Sequence, residues 1–204
     1  MNFTRKFCLF ISFWLASPLY AQTVESNNLN VVIEANPLLL SNQGFGFNAE
    51  FLWTEHLSLG GSAEYYDQQP YNRNEVKANR TMTNMAPFVR YYVFSPNLKG
   101  PFVGFKVNLT YSHNEMNDHE ESASYYKFFV APSVHFGYRF IAQSGFTLSA
   151  YVGAGVKSAN NRFPDSEIPP NRINNQDWIN AQSKLNKNIS DVEPDYGLTF
   201  GYEF

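Results

Sequence analysis

Ser112, His113, Glu115, Asp118, His119, Glu120 and Glu121 gather, within one short stretch, the side-chain types that acyl transfer needs. These are a hydroxyl nucleophile, an imidazole base and carboxylates to orient it. The same carboxylates could hold a divalent cation weakly, but their order does not match a calcium loop. The stretch reads as a solvated acidic loop, and the sequence predicts no catalytic residue, no metal site and no cofactor. A second set is spread along the whole chain. Glu34, Glu50 and Glu64 precede Arg90, Lys106, Lys127, His135, Arg139 and Lys157, and each sits on the polar side of an alternating segment. His135 has no second histidine at metal-ligand spacing on its segment.

Those segments set the architecture. Apolar and polar residues alternate with period two over residues 29–37, 45–53, 57–65, 84–93, 103–111, 126–140, 146–156 and 196–204, the strand signature. Most are about ten residues long, enough to cross a bilayer when tilted. Thr54-Glu55-His56, residues 95–100 and Ala142-Gln143-Ser144-Gly145 are short connectors; residues 67–81, 112–124 and 158–191 are long and polar. Only Ser41-Asn42-Gln43-Gly44 is short where a long loop could sit. Short turns alternating with long loops predict an all-β fold: an eight-stranded antiparallel up-and-down transmembrane β-barrel. An even strand count puts both ends of the barrel on the short-turn side.

Composition agrees. Aromatic residues make up 17% of the 204 residues and charged residues only 16%, against about a quarter in ordinary soluble domains. Mean hydropathy is -0.36, and no run of about 18 apolar residues exists to form a helical span. The net charge of -3 argues against nucleic acid as a partner. At the start, Arg5 and Lys6, an apolar stretch over residues 7–16 and a small residue at Ala21 have the layout of a secretory signal peptide. The predicted organisation is a signal peptide over 1–21, a leader over 22–28 and a barrel over 29–204. Cleavage would remove Cys8, the only cysteine, and with it any thiol or disulfide chemistry.

Alternation alone fits a soluble barrel with an oily centre or a membrane barrel with an oily exterior. Three features favour the second. The polar face is rich in glycine, as at Gly60, Gly104, Gly137, Gly153, Gly155, Gly197 and Gly201, which suits a crowded lumen. The apolar face carries no charge in these segments. Trp53, Tyr65, Tyr91, Tyr111, Tyr126, Tyr138 and Tyr202 lie near strand ends, where a headgroup girdle belongs. The charged set then faces inward, acids on one wall and bases on the other. A cross-lumen salt-bridge network is expected, Glu34 and Glu50 pairing with Arg90 and Lys106. A gate on a narrow ion path is the alternative use of these charges, although an eight-strand barrel is just wide enough to be filled by side chains.

The closing Tyr196-x-Leu198-x-Phe200-x-Tyr202-x-Phe204 resembles the C-terminal strand of bacterial outer-membrane proteins. That resemblance implies an assembly signal read by the barrel-insertion machinery. The eight-strand layout resembles the small OmpA/OmpX-type barrels, without the peptidoglycan-binding domain of OmpA itself. It implies a monomer in the bacterial outer membrane, in contact with its lipid and lipopolysaccharide, with three long extracellular loops free to meet an external ligand. Such a protein would be non-enzymatic, serving surface interaction or envelope integrity. The alternative is a lipid-modifying acyl hydrolase or transferase, but the acidic loop matches neither the His-x-Ser-Asn pattern of lipid A deacylases nor a palmitoyltransferase pattern. In the last long loop, Trp178, Ala181, Leu185 and Ile189 recur at near-helical spacing, with Asp177 as a cap. This spacing leaves two readings open over residues 176–189: a short amphipathic helix on the membrane surface or over the barrel mouth, and an irregular loop with buried apolar anchors.

Overall fold

A computed structural model describes residues 30–73, 75–94, 98–157, 164–186 and 192–204. Residues 1–21 and 22–28, expected from the sequence to be a signal peptide and a leader, lie outside these residues, and Cys8 with them. Eight strands are present: β1 Val31–Ala35, β2 Gly44–Leu52, β3 Leu57–Arg73, β4 Val76–Tyr92, β5 Gly100–Asn117, β6 Ser122–Ile141, β7 Phe146–Val156 and β8 Val192–Glu203. Each pairs antiparallel with its neighbour in sequence, and β1 pairs with β8, so the sheet closes as an up-and-down barrel. Closure satisfies the ladder without an edge, the condition for a sheet to stand in hydrocarbon.

The outer surface is an apolar band. Ile33, Phe47, Met85, Phe105, Val134, Phe136, Val152 and Phe200 are all exposed, Phe136 to 61%. Aromatic rings flank the band. Trp53, Tyr91, Tyr138, Tyr202 and Phe204 sit towards the short turns, while Phe45 stacks on Tyr65 and Tyr111 on Tyr126 towards the long loops. The short turns are held by local bonds; Gly145 takes a positive φ of 86° in the β6–β7 turn, where a Cβ would press on the Tyr202 ring.

Two expectations about element bounds need correcting. β3, β4, β5 and β6 run 17, 17, 18 and 20 residues, so residues 67–73, 76–81 and 112–117 are strand, not loop. A bulge between Gln68 and Tyr71, at Pro70, shifts the register but does not end the strand. The result is a four-stranded wall that continues past the upper aromatic row. β1, in contrast, stops at Ala35. Pro37 cannot donate to a ladder and instead opens a 3-10 segment, Pro37–Asn42, in which the Leu38 N–H donates to the Asn36 side-chain oxygen.

Of the two readings of the last long connection the helix is the one present: α1, Gln176–Asn186, with Trp178, Ala181 and Leu185 on its buried face; Ile189 lies outside the described residues. Its cap is Asn175, whose Oδ1 accepts from the N–H groups of Asp177 and Trp178. Asp177 sits in the first turn instead and accepts a hydrogen bond from the Tyr71 hydroxyl at 2.9 Å.

Candidate functional site

Polar residues on the eight strands converge in the lumen, stacked in layers. At the short-turn end Val32, Tyr92, Leu98, Phe102, Ile141 and Tyr151 form an apolar plug, with Leu52 packed against it. Directly above lies the charged layer. Arg139 reaches Glu34 through Nε at 3.1 Å and Nη2 at 3.0 Å, and Glu50 through Nη2 at 2.7 Å. Arg90 Nη1 meets Glu50 at 2.6 Å. The remaining lone pairs are also used: Ser58 and Tyr92 donate to Glu50 at 2.5 and 2.8 Å, and Ser149 donates to Glu34 at 2.6 Å. The Arg90 guanidinium lies 4.4 Å from the Phe88 ring centre and 4.6 Å from that of Phe102. Two acids and two arginines, all at least 97% buried, thus balance each other in space with no room for a free charge.

Of the pairings expected by sequence, Glu50 with Arg90 is present and the others differ. Glu34 pairs with Arg139, not with Arg90 or Lys106. Lys106 pairs with Asp195 on β8 at 3.2 Å, an acid outside the residues 196–204 framed as the last strand. Asp195 also accepts from Ser133 at 2.8 Å and faces His135 Nδ1 at 3.6 Å. Arg90 Nε donates to His135 Nε2 at 3.3 Å, which assigns the imidazole proton to Nδ1. Gly104 and Gly153, on the strands either side of His135, leave the room this ring needs: a Cβ at Gly153 would lie 2.6 Å from the Cα of His135, and one at Gly104 would run into its Nε2.

Higher in the lumen the groups are mostly neutral. Asn84 bridges Glu64 and Asn108 at 3.2 and 3.1 Å; Tyr66 donates to Glu64, and Thr110 to Asn84. Glu64 has no cation in ion-pair range among the described residues. Lys127 has no carboxylate in that range either, and its ammonium lies beside the Phe129 ring. Arg80, at the top, donates to Asn114 and to the Leu185 carbonyl at the end of α1.

Beyond the upper aromatic row the lining changes character. Tyr71, Val76, Ala78, Met116 and Ala123 line the inner face of the projecting wall and, with Ile168 from the β7–β8 connection, bury Trp178, Ala181 and Leu185 of α1. The outer face carries Asp67, Lys77, Glu115, Asn117 and Ser124. The acidic stretch that held the catalytic-looking residues fastens this cap. Asp118 accepts from the N–H groups of Glu120 and Glu121 at 2.9 and 2.8 Å and from the Trp178 indole at 3.0 Å, and pairs with Arg172 at 3.1 Å. Burial alone would raise its carboxyl pKa, but these donors together hold it below the ordinary carboxylate value. Arg172 also meets Glu120 at 2.5 Å, and Asn171 donates to Glu121. Ser112 and His113 leave β5 on opposite faces. Ser112 is buried in the lumen and accepts from Asn114, while His113 stacks outside on Tyr126 at 4.3 Å, so they form no nucleophile–base pair.

Residues 7–184 match the family model described as "Protein of unknown function (DUF3575)". The chain belongs to that family. No curated protein matches it. Among solved structures it is similar to Ail, the attachment invasion locus protein of Yersinia pestis, with a TM-score of 0.53 and 9% identity over 86% of this chain and 99% of that one. It is also similar to CarO2 and CarO of Acinetobacter baumannii. For CarO2 the TM-score is 0.47, at 10% identity over 86% of this chain and 98% of that one. For CarO it is 0.44, at 12% identity over 86% and 97%. The family member described here therefore has the fold of the small OmpA/OmpX-like outer-membrane barrels.

Proposed function

We propose that the protein is a non-enzymatic, monomeric surface barrel of the bacterial outer membrane whose working part is the projecting wall and its helical cap. In this reading residues 1–21 direct export, residues 22–28 lead into the barrel, and the alternate residues Tyr196, Leu198, Phe200, Tyr202 and Phe204 serve the barrel-insertion machinery. The lumen network of Glu34, Glu50, Arg90, Arg139, Lys106 and Asp195 is a structural filling, closed below by an apolar plug and above by α1. Lipopolysaccharide and outer-membrane lipid surround the apolar band, and the external ligand meets the outer face of the wall.

One observation carries this reading: the change of polarity along β3–β6. Below the upper aromatic row the outside is oily and the inside ionic; above it the outside is polar and the inside oily. A wall that buries its own core above the membrane is a folded display surface. Ail is named for attachment and invasion, and attachment is the role this surface suits here. The test is adherence of cells carrying the intact protein against cells in which residues 70–78 are replaced by a tight two-residue turn. The reading expects adherence to fall to background while the barrel keeps its heat-dependent gel shift. Unchanged adherence, channel conductance in a planar bilayer, or an altered lipid A acylation pattern would each contradict it.

A further inference from the structure

We propose that the inner face of the projecting wall is a helix-binding trough, that α1 occupies it as a self-ligand, and that a tryptophan-bearing amphipathic helix of another polypeptide displaces α1. The trough is built on paired strands. Tyr71 lies opposite Ala78, Ala78 opposite Met116 and Met116 opposite Ala123, so one row of cross-strand partners runs over β3, β4, β5 and β6. Partners so placed share a face of the sheet. Large and small side chains alternate along the row, and all four are buried under the cap. The ladders between these strands hold the row in place whether or not a helix lies on it.

The occupant is held less firmly than its site. α1 is 11 residues long, and isolated helices shorter than about 12–15 residues are marginal in water. Its order therefore depends on docking Trp178, Ala181 and Leu185. The strap ahead of it, residues 164–175, is tied by Arg172 to Asp118, Glu120 and Glu121 at 3.1, 2.5 and 3.8 Å, and the Glu120 side chain is 77% exposed. Ion pairs this open to water add little. The barrel closes through its eight strands without α1, so α1 can leave while the ladders stay.

Contacts at the rim of the trough define what a competing helix must carry. The Asp118 carboxylate accepts from the Trp178 indole N–H at 3.0 Å, the Tyr71 hydroxyl donates to Asp177 at 2.9 Å, and Arg80 donates to the Leu185 carbonyl in the last turn. Trp178, Ala181 and Leu185 stand at i, i+3 and i+7, one stripe of a helix. Ile179, Asn180, Ser183 and Lys184, on the side turned away from the trough, are exposed. The partner is thus an amphipathic helix with an acid, a tryptophan directly after it, then a small residue and a leucine at the spacing of Ala181 and Leu185. This is the helix-in-groove mode of recognition. The polar outer face of the wall plays no part in it.

The probe is a fluorescent peptide copying residues 175–186, added to the full chain in phosphatidylcholine nanodiscs. A chain whose residues 176–186 are replaced by a Gly-Ser linker should bind it and shift the Met116 methyl resonance. Wild type should bind more weakly, because the peptide meets only the open fraction. The ratio of the two affinities should equal the opening constant of α1 from amide exchange. Trp178→Ala in the peptide should weaken binding by more than about tenfold. Should the linker chain fail to insert, Trp178→Ala in the full chain takes its part, since it loosens α1 with every backbone group in place. Equal affinity for wild type and the opened chain, no shift at Met116, or α1 amides that exchange only on global unfolding of the barrel would each overturn the proposal. The heat-dependent gel shift of each chain reports the folded barrel separately.

Discussion

The embedded barrel and the projecting wall are built from the same strands with opposite polarity. In the barrel the side chains that meet each other are Glu34, Glu50, Arg90 and Arg139; in the wall they are Tyr71, Val76, Met116 and Trp178. Hydrocarbon outside leaves ionic groups nowhere to go but inward, and water outside reverses the preference. The comparison teaches that alternation is a property of the strand, while the face that becomes the core is chosen by the solvent around it.

Variants that break one region and spare the other sharpen this contrast. The largest effect belongs to Arg139→Ala, which strands Glu34 and Glu50 in the lumen. Removing one partner of a buried ion pair costs about 3–5 kcal/mol, and denaturant unfolding of the inserted protein should show a loss of that order. The cap should stay docked to whatever barrel remains folded. Trp178→Ala does the reverse. It empties a fully buried aromatic site, worth about 3–5 kcal/mol, but the loss should appear as protease sensitivity and fast amide exchange in α1, with the barrel's unfolding midpoint in place. Gly104→Ala should cost about 1–3 kcal/mol by overpacking, since its new methyl group meets the His135 ring; the same change at Gly61, where a Cβ meets only Ala86 O at 3.9 Å, should be nearly silent in that assay.

The smallest effect concerns the fastening of the cap. Because the Asp118 carboxyl is held below its unfolded value, its contribution is present above that value and is lost as pH falls through the folded one. The protection factors of the α1 amides, which correct for intrinsic exchange, should therefore fall only in strongly acidic solution and stay flat through neutral pH. Arg172→Gln should have an effect of about 0–1 kcal/mol, as for other partly exposed pairs.

Much of this was legible in the chain. Ile33, Phe47, Phe105, Phe136 and Phe200 announce the outward face, while the spacing of Trp178, Ala181 and Leu185 left helix and irregular loop both open. The wall was not legible, because residues 76–81 and 112–117 look like loop once both faces carry polar groups: Lys77 and Asn79 outside, Arg80, Ser112 and Asn114 inside. Their strand character comes from pairing with each other, which no local pattern records. The charged set could be assigned to a face, but of its partners only Glu50 with Arg90 was legible. Glu34 finds Arg139 by reaching across the barrel from β1 to β6, Tyr92 joins from the polar side of a segment already framed as strand, and Asp195 joins because β8 begins before residue 196. Pro37 was read as the end of an apolar face; its missing donor is what shortens β1.

Single cysteines placed along the outer face and challenged with a membrane-impermeant maleimide in whole cells test the polarity change most directly. Cysteines at Val103, Phe105, Val134 and Phe136 should stay unlabelled, and those at Lys77, Glu115, Asn117 and Ser124 should label readily. Labelling at Phe105 and Phe136 as fast as at Lys77 and Ser124 would mean that water, not hydrocarbon, bathes the phenylalanine surface, and would contradict the account.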